Sequence, residues 1–294
     1  MRIIVTGSQG QLVRALGEQA GDAEVVALGR PALDLYDSTT IFPALAAARP
    51  DLIVNAAAYT AVDKAESEPD LAQAINGAGA GHVAAAAARL GVPVIQISTD
   101  YVFDGSGTRA WAETDPVGPT SAYGRSKLAG EQAVAAATAN HAILRTAWVH
   151  SAHGTNFVKT MLRLGAERQE VSVVADQFGN PTFAPDLADA ALAVARHLLA
   201  SDAPALRGIF HAAGTGEACW ADVAEAVFAD AQAHGRAPVR VNRIRTADYP
   251  TPARRPANSR LNGARLAECH GIVLPHWRGS LRACVARLLG GDTA

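Results

Sequence analysis

Short runs of β-branched residues alternate with longer, alanine-rich amphipathic stretches through the first 150 residues of the chain. This alternation is typical of βαβ units, in which helices join parallel strands. The strand runs are apolar throughout, which indicates that helices cover both faces of the sheet. The predicted strands are Arg2–Val5, Glu24–Leu28, Leu52–Asn55, Val92–Ser98 and Ala142–Thr146, and the predicted helices are Gly10–Ala20, Ser38–Arg49, Pro69–Leu90 and Ser121–Ala137. The pattern predicts an α/β fold with a doubly wound parallel sheet.

The alternation becomes less regular after about residue 148. The stretch 249–256 contains three prolines, which remove N–H donors and favour extended backbone, so we expect a non-helical arm there. The predicted helices are Phe157–Arg168, Ala184–Leu199, Trp220–His234 and Trp277–Leu289, and the predicted strands are Val171–Val174 and Gly208–Ala212.

Composition excludes several classes of protein. With 49% hydrophobic and 18% charged residues among 294, the chain is globular rather than disordered. Its apolar runs are shorter than the roughly 18–20 residues that span a bilayer, and we expect its first residues to form a strand rather than a signal peptide. Three separated cysteines argue against a disulfide framework, and a net charge of −2 argues against nucleic acid as a partner. We expect a cytoplasmic protein that binds neither membrane nor nucleic acid.

The charges are unevenly distributed along the chain. The stretch from Arg236 to Arg265 holds eight arginines and one acid, Asp248. One interpretation is a solvated basic surface. The other is that some of these arginines bind an anionic small molecule, because a guanidinium matches two phosphate oxygens at once.

The first predicted strand runs into a turn with two glycines, Gly7 and Gly10, before the first helix. A helix that follows such a turn presents backbone N–H groups and the positive end of its dipole to a pyrophosphate. Gly7 permits the tight turn, and Gly10, followed by Gln11 and Leu12, permits close approach of the phosphates. Val13 occupies the place of the third glycine of the usual pattern. The turn predicts a Rossmann-like dinucleotide site.

Because the dinucleotide turn lies at the start of the chain, we expect two interleaved lobes. We expect a dinucleotide-binding domain over residues 1–150, with later returns at roughly 171–215. A smaller α/β substrate-binding lobe is expected over residues 151–294.

The end of the second predicted strand indicates which dinucleotide binds. An acid there would bond the ribose hydroxyls, whereas an arginine accommodates a 2′-phosphate. The strand is followed by Arg30, so we predict NADPH as the cofactor, with NADH possible. Asp34 and Leu35 are expected to line the adenine pocket.

Tyr123 and Lys127 are four residues apart in a predicted helix, so they share one face. A phenol with a pKa near ~10 is a weak acid at neutral pH, and a neighbouring ammonium is expected to lower that pKa. Thr99 follows a strand at the carboxyl edge of the sheet, where ligands bind in open α/β sheets. The three residues together predict proton transfer to a substrate oxygen.

Six segments carry a resemblance to a known family. The chain resembles the extended short-chain dehydrogenases/reductases, and more narrowly the dTDP-4-dehydrorhamnose reductase family, over nearly its full length. The segments are Asn55 to Glu66, Ser98 to Phe103, Tyr123 to Gly130, Leu144 to Val149, Asp176 to Gly179 and Pro252 to Pro256.

The resemblance implies a role for each catalytic candidate. Tyr123 would protonate the C4 carbonyl oxygen, and Lys127 would bind the nicotinamide ribose and lower the pKa of the phenol. Thr99 and Asp100 would contact the hexose, and Trp148 would pack on it. The implied reaction is NADPH-dependent reduction of dTDP-4-dehydro-β-L-rhamnose at C4, which gives dTDP-β-L-rhamnose.

The resemblance also implies binding residues. The run Gly10-Gln11-Leu12 would hold the pyrophosphate, and Ala58-Tyr59-Thr60 would lie along the ribose and nicotinamide. The substrate carries a diphosphate, for which Arg254, Arg255 and Arg260 are our candidates.

Three alternatives remain beside this reading. A 4,6-dehydratase is disfavoured, because Thr99 is followed by Asp100 and Tyr101 rather than by an acid pair with glutamate. An epimerase would use the same tyrosine and lysine with a retained NAD. A non-catalytic dinucleotide-binding regulatory subunit shares the fold, but the intact Thr99, Tyr123 and Lys127 argue against it.

The chain departs from the family in one respect. Some members dimerise through a magnesium ion held by glutamates, whereas Ala15 and Pro185 stand here at positions where carboxylates are expected. We predict no metal requirement and a monomer or weak homodimer.

Four further predictions concern polar side chains outside these motifs. Asp63, Glu66 and Glu68 are expected to form a solvated turn. Asn76 is expected to make a buried hydrogen bond to the sheet. The pair His150 and His153, without a nearby carboxylate, is not expected to bind metal. Trp111 and Trp277 are expected to be packing residues.

Overall fold

A parallel sheet forms the centre of the molecule. The computed structural model describes residues 1–290, and in that part of the chain the sheet has six strands in the order β10-β5-β4-β3-β1-β2, all parallel. The strands are β1 Arg2–Thr6, β2 Glu24–Leu28, β3 Leu52–Asn55, β4 Val94–Thr99, β5 His141–Thr146 and β10 Gly208–His211. The predicted doubly wound Rossmann-like sheet is confirmed.

Successive side chains of a strand point to opposite faces of the sheet, and because these side chains are apolar on both faces, helices cover both. Ile3 and Val5 pack with the helices that begin at Gln11 and Ala184, whereas Ile4 packs on the other face against the helices that begin at Ser38 and Ala80. The helices of this layer are α1 Gln11–Glu18, α2 Ser38–Ala48, α3 Val62–Ala65, α4 Pro69–Gln73, α5 Ala80–Leu90, α6 Ala122–Ala137, α8 Ala184–Ala200 and α10 Ala264–His270. Within residues 1–290, none of the helices combines the length and the apolarity needed to cross a membrane.

The predicted helix Pro69–Leu90 is interrupted. A π-helical segment, Ala74–Gly79, separates α4 from α5. Helix α6 lies so close to this segment that a Cβ on Gly130 would meet the Asn76 carbonyl at 2.1 Å, so only glycine fits there. The π segment therefore turns Asn76 towards α6, and such segments often accompany functional sites.

The second lobe packs three helices around a small core of its own. Its elements are β6 Val149–His150, α7 Phe157–Glu167, β7 Glu170–Val174, β8 Phe178–Gly179, β9 Thr182–Phe183, β11 Ala218–Cys219, α9 Trp220–Ala233, β12 Arg240–Ile244, β13 Asn258–Ser259 and α11 Trp277–Leu288. Strand β7 pairs with β12 rather than with the main sheet. Helix α8 and β10 do join the main sheet and its core.

Short or charged elements were not predicted. Strand β12 spans Arg240–Ile244 and contains two arginines and one asparagine, while α10 spans only seven residues. The arm at 249–256 is non-helical, as its prolines predict.

Candidate active site

Gly7 and Gly10 shape the turn between β1 and α1. Gly7 has a φ of 97°, which side chains of L residues rarely adopt, and its N–H donates to the Leu28 carbonyl at 2.6 Å. Gly10 is the N-cap of α1, and within the described chain no side chain caps this helix. The N–H groups of Gln11 and Leu12 at the start of α1 are therefore open to an anion. The turn fits the pyrophosphate of a dinucleotide.

The side chain of Gln11 points to the second lobe. Its Oε1 accepts hydrogen bonds from the Ser151 hydroxyl and from the Asn156 amide, both at 2.9 Å. Any contact of Gln11 with phosphate would therefore use its backbone. The side chain instead joins the cofactor turn to the loop that precedes α7, a role that sequence reasoning missed because the partners lie about 140 positions away.

A buried polar row lies beneath the turn and also escaped the sequence analysis. The Thr6 hydroxyl donates to Asn55 Oδ1 at 2.6 Å, and the Asn55 amide donates to Gln96 Oε1 at 2.7 Å. The sequence feature that could have revealed this row is the presence of an amide side chain, Asn55 or Gln96, in each of two mainly apolar strands. The Ala57 N–H donates to Thr6 Oγ1, so the row fixes the start of the loop after β3.

That loop carries Ala58, Tyr59 and Thr60. Asn76 Oδ1 accepts from the Tyr59 N–H at 2.8 Å, and the Asn76 amide donates to the Tyr59 carbonyl and to Ser126 Oγ. Asn76 is buried and hydrogen-bonded, but the predicted bond to the sheet is wrong, because its partners are this loop and α6. The loop is thereby held at the carboxyl edge next to α6.

Residues after β2 differ in exposure. Arg30 is exposed directly beyond the strand. Leu35 is 6% exposed and belongs to the core beneath α2 and α5, while Asp34 accepts a hydrogen bond from the Tyr36 N–H at 3.0 Å. Arg30 is available to a 2′-phosphate, whereas the contact of Asp34 and Leu35 with adenine stays a prediction.

Thr99, Tyr123 and Lys127 come together at the carboxyl edge. Thr99 ends β4, Tyr123 lies in the first turn of α6, and Lys127 follows one turn later. The start of α6 is fixed by Ser121, which caps the helix, and by Glu66, whose carboxylate accepts the Ala122 N–H at 2.7 Å. Thr99 lowers the pKa of the Tyr123 phenol in opposition to burial, so the two side chains are neighbours. The predicted convergence on one edge is present in the structure.

The electrostatics of this group correct one expectation. Burial raises the pKa of Tyr123 well above its usual range, and the Asp100 carboxylate adds to the rise. Burial also lowers the pKa of Lys127 to about 8, against an opposing effect of Glu131. The expected lowering of the phenol pKa by Lys127 is wrong here, because desolvation dominates and the ammonium donates to the Ile97 carbonyl at 2.7 Å.

Asp100 acts on the site through Thr99. Its Oδ1 accepts a hydrogen bond from the Thr99 hydroxyl at 3.0 Å, and its Oδ2 is buried without a hydrogen-bond partner among residues 1–290. Burial raises the pKa of Asp100 to about 6. Its contact with the hexose stays a prediction.

Trp148 follows β5 at the same edge, with a φ of 50°. One face of its ring stacks on Trp220 at 3.6 Å between centroids, and Gly179 approaches so closely that a Cβ there would lie 2.7 Å from the indole. A cavity of about 120 Å³ opens beside both rings. Only part of the indole is thus left to pack on a sugar, and Trp220, at the start of α9, is the partner that sequence reasoning missed.

Half of the eight arginines in the basic stretch form ion pairs with acids outside it. Arg240 pairs with Glu170, Arg243 with Asp222 and Glu225, Arg255 with Asp63, and Arg260 with Glu217. The basic surface predicted for this stretch is therefore limited to its unpaired members. Among residues 1–290, Arg254 is exposed and forms no ion pair, and it lines a cavity of about 690 Å³ along the arm.

Arg255 and Arg260 are already bonded. The Arg255 guanidinium donates to Asp63 Oδ2 at 2.6 Å and to the Tyr101 hydroxyl at 3.2 Å. Arg260 is 8% exposed and donates to Glu217 at 2.6 Å. Of the three diphosphate candidates, Arg254 is the one whose guanidinium is available without breaking an existing pair.

The predicted solvated turn of Asp63, Glu66 and Glu68 is wrong. Asp63 holds the arm through Arg255 and the Ala253 N–H, and Glu66 holds the start of α6. Glu68 accepts from the Tyr59 hydroxyl at 2.7 Å. The partners of Asp63 and Glu66 are remote in sequence, which a local pattern does not reveal, whereas Glu68 also pairs with Lys64, four residues earlier.

Histidines near the site are engaged with other residues. His153 Nε2 lies 2.7 Å from Glu18 Oε1, so the expectation of no nearby carboxylate is wrong. Burial lowers the pKa of His150 to about 4. In the described part of the chain, 1–290, no group of three or more His, Cys, Asp or Glu side chains is arranged to hold a metal ion.

Packing explains the remaining aromatic candidates. Trp111 stacks on Phe103 at 4.7 Å between ring centroids, and Trp277 is 6% exposed in the core of the second lobe. Both predictions of a packing role are confirmed.

Comparison with known proteins extends over the whole chain. The family model described as RmlD substrate binding domain matches residues 1–289. The dTDP-4-dehydrorhamnose reductase of Sinorhizobium fredii is 53% identical over 296 residues, which cover 100% of both proteins.

Solved structures agree in fold. A dTDP-4-dehydrorhamnose reductase from Clostridium acetobutylicum superposes with a TM-score of 0.90 at 38% identity, over 98% of this chain and 99% of that one. The dTDP-4-dehydrorhamnose reductase of Bacillus anthracis, crystallised in complex with NADP, has a TM-score of 0.90 at 35% identity, over 97% and 99% of the two chains.

Proposed function

The chain belongs to the dTDP-4-dehydrorhamnose reductase family, and from that premise we propose that it reduces the C4 ketone of dTDP-4-dehydro-β-L-rhamnose with NADPH, giving dTDP-β-L-rhamnose. The observation that carries the proposal is the meeting of Thr99, Tyr123 and Lys127 at one sheet edge. The open N-terminus of α1 at the same sheet supports it, since a dinucleotide pyrophosphate fits there.

The cofactor would be held by the first lobe. Gly7 and Gly10 shape the turn, the N–H groups of Gln11 and Leu12 bind pyrophosphate, and exposed Arg30 binds the 2′-phosphate. Ala58, Tyr59, Thr60 and Lys127 would line the ribose and nicotinamide side. NADPH, when bound, supplies the hydride that reduces C4.

Tyr123 supplies the proton of the reduction. Because its pKa is raised, the phenol is neutral at physiological pH and carries the proton at its hydroxyl oxygen. The developing alkoxide at C4 is a stronger base than the phenolate, so the proton passes from Tyr123 to the substrate oxygen. The Thr99 hydroxyl orients that oxygen, and Lys127, protonated below about pH 8, orients the nicotinamide ribose beside it.

The substrate would extend from this edge towards the arm. Trp148 contacts the sugar with the part of its ring that Trp220 leaves open, and Asp100 holds Thr99 in place. Arg254 binds the diphosphate, while Arg255 orders the arm through Asp63. Of the three arginines considered for the diphosphate, Arg254 alone is then assigned to it.

The test is NADPH oxidation by the purified protein with dTDP-4-dehydro-β-L-rhamnose, with the product identified by mass and by carbohydrate stereochemistry. We expect one NADPH oxidised per sugar reduced, and slower turnover with NADH. Conversion of the sugar without net NADPH oxidation would favour an epimerase. Binding of NADPH without any conversion would favour the non-catalytic subunit.

Two further properties are proposed with this function. The absence of carboxylates at Ala15 and Pro185 supports a monomer or weak homodimer, which light scattering with and without EDTA tests, and an EDTA-sensitive dimer would contradict it. Three free cysteines and the use of NADPH support a cytoplasmic location, which cell fractionation tests.

A further inference from the structure

Helix α6 meets the end of β4 through three residues spaced four apart. Tyr123, Lys127 and Glu131 lie on one face of α6. They face three consecutive residues of β4: Lys127 donates to the Ile97 carbonyl at 2.7 Å, Glu131 accepts from the Ser98 hydroxyl at 2.5 Å, and Tyr123 faces Thr99. Of these three contacts, the one between Glu131 and Ser98 has no role in the proton transfer itself.

Glu131 also binds the next strand. Arg145 on β5 donates to both of its carboxylate oxygens, at 2.9 and 2.7 Å, and the two residues are 2% and 3% exposed. Ser98 and Arg145 are register partners in the sheet. One carboxylate thus fastens α6, β4 and β5 together directly below the catalytic edge.

A buried ion pair of this kind is poorly explained by stability alone. The desolvation of two charges offsets much of their attraction, and apolar residues of similar size often stabilise a fold as well or better. A charge pair does, however, impose a geometry that apolar packing leaves loose, because its hydrogen bonds fix both distance and direction.

We propose that Glu131, through Ser98, is a positioning residue that sets the separation between the Thr99 hydroxyl and the Tyr123 phenol. Thr99 is the last residue of β4 and pairs with Thr146 of β5, whereas the pairing of β4 with β3 ends at Gln96, so only one neighbouring strand holds Thr99. One residue earlier, the Ser98 hydroxyl donates to Glu131, and this hydrogen bond ties β4 to α6, the helix that carries Tyr123. Displacements of about 1 Å at reacting groups cost on the order of 10²-fold in rate.

The inference rests on the proposed reduction, and its test begins with Ser98→Ala. The variant removes one hydroxyl and leaves the Glu131–Arg145 pair intact. We expect kcat to fall about tenfold with KM for NADPH unchanged, because the cofactor turn lies elsewhere. Ser280→Ala is the matched control: Ser280 is also buried and donates to a carboxylate, Asp186, but it joins α11 to α8, which lies on the face of the main sheet opposite to α6. Its kcat should equal that of the wild type.

A second variant tests whether Ser98 acts through the carboxylate. Glu131→Gln keeps the shape and should also lower kcat, and the double variant Ser98→Ala/Glu131→Gln should be no slower than Glu131→Gln alone. Equal kcat losses in Ser98→Ala and Ser280→Ala, an unchanged kcat in Ser98→Ala, or additive losses in the double variant would each overturn the proposal.

Crystal structures separate this proposal from the proposed function. In Ser98→Ala the distance between Thr99 Oγ1 and the Tyr123 hydroxyl should exceed that in the wild type, whether or not the keto-sugar is the substrate. An unchanged distance overturns the positioning role. Absence of wild-type turnover overturns the proposed function alone.

Discussion

The carboxyl edge of the main sheet and the arginine-containing arm are assembled by different forces. At the edge, Thr99 and Thr146 are register partners, and β3, which leads into the loop of Ala58 to Thr60, pairs with β4 through ladder hydrogen bonds. In the arm, placement depends on single ion pairs such as Arg255 with Asp63, 192 positions apart. A parallel ladder aligns every strand end at once, whereas an ion pair aligns only its two members. The edge is therefore the more robust of the two regions.

Tyr123→Phe tests the edge at its centre and should have the largest effect. Removal of the hydroxyl removes the proton donor, so kcat should fall by about 10²–10⁴-fold while NADPH still binds. The measurement is NADPH oxidation under saturating keto-sugar, with cofactor affinity from fluorescence titration.

Tyr101→Phe is the matched control for that substitution. Its ring lies 5.5 Å from that of Tyr123 in an edge-to-face contact, but its hydroxyl accepts from Arg255 in the arm. A small loss is expected. Equal losses in both variants would break the distinction between edge and arm and remove Tyr123 as the proton donor.

The same distinction explains what the sequence could predict. Thr99, Tyr123 and Lys127 were found because strand ends and helix spacing place them without knowledge of other contacts. The partners of Glu66 and Arg260 were not found, since nothing local in the chain selects Ala122 or Glu217. The direction of the Tyr123 pKa also depends on how deeply the fold buries the phenol, which spacing does not reveal.

The pH dependence tests the edge through Lys127, whose pKa is lowered by burial to about 8. The proposed reaction needs the ammonium, so kcat should fall about tenfold per pH unit once the pH exceeds about 8. Stability should move in the opposite direction. Between about pH 8 and the ordinary value of 10.5, the unfolded chain holds a proton that the folded chain has lost, so stability should rise with pH.

Two variants check this assignment by kinetics and by thermal unfolding across the pH range. Lys127→Met should remove both pH dependences along with most of the activity. Lys64→Met, at an exposed lysine paired with Glu68, should retain the wild-type profile. An alkaline limb that persists in Lys127→Met would assign it to another group.

Arg254 tests the arm, with a smaller expected effect. Its guanidinium is exposed and unpaired within residues 1–290, so Arg254→Ala should weaken competitive inhibition by dTDP about tenfold with kcat nearly unchanged. Arg236→Ala, at an exposed arginine of the same basic stretch but a different cavity, is the control. Arg255→Ala should instead lower the melting temperature, because it leaves Asp63 without its partner. Unchanged inhibition in Arg254→Ala would remove the arm from the diphosphate site.

Arg30→Ala is expected to have the smallest effect of these substitutions. Arg30 lies in the edge region, but, like the arginines of the arm, it would act through a single charge. It follows β2 and is exposed, so its attraction for a 2′-phosphate is screened by solvent and amounts to about 1 kcal/mol. Arg30→Ala should therefore raise KM for NADPH about fivefold and leave KM for NADH unchanged, since NADH lacks that phosphate. Arg14→Ala, at another exposed arginine of the first lobe, should change neither value. Added salt should shrink the wild-type preference towards that of Arg30→Ala, because exposed charges are screened. Equal changes in both Michaelis constants would show that Arg30 supports the fold of the loop after β2 rather than selecting the cofactor.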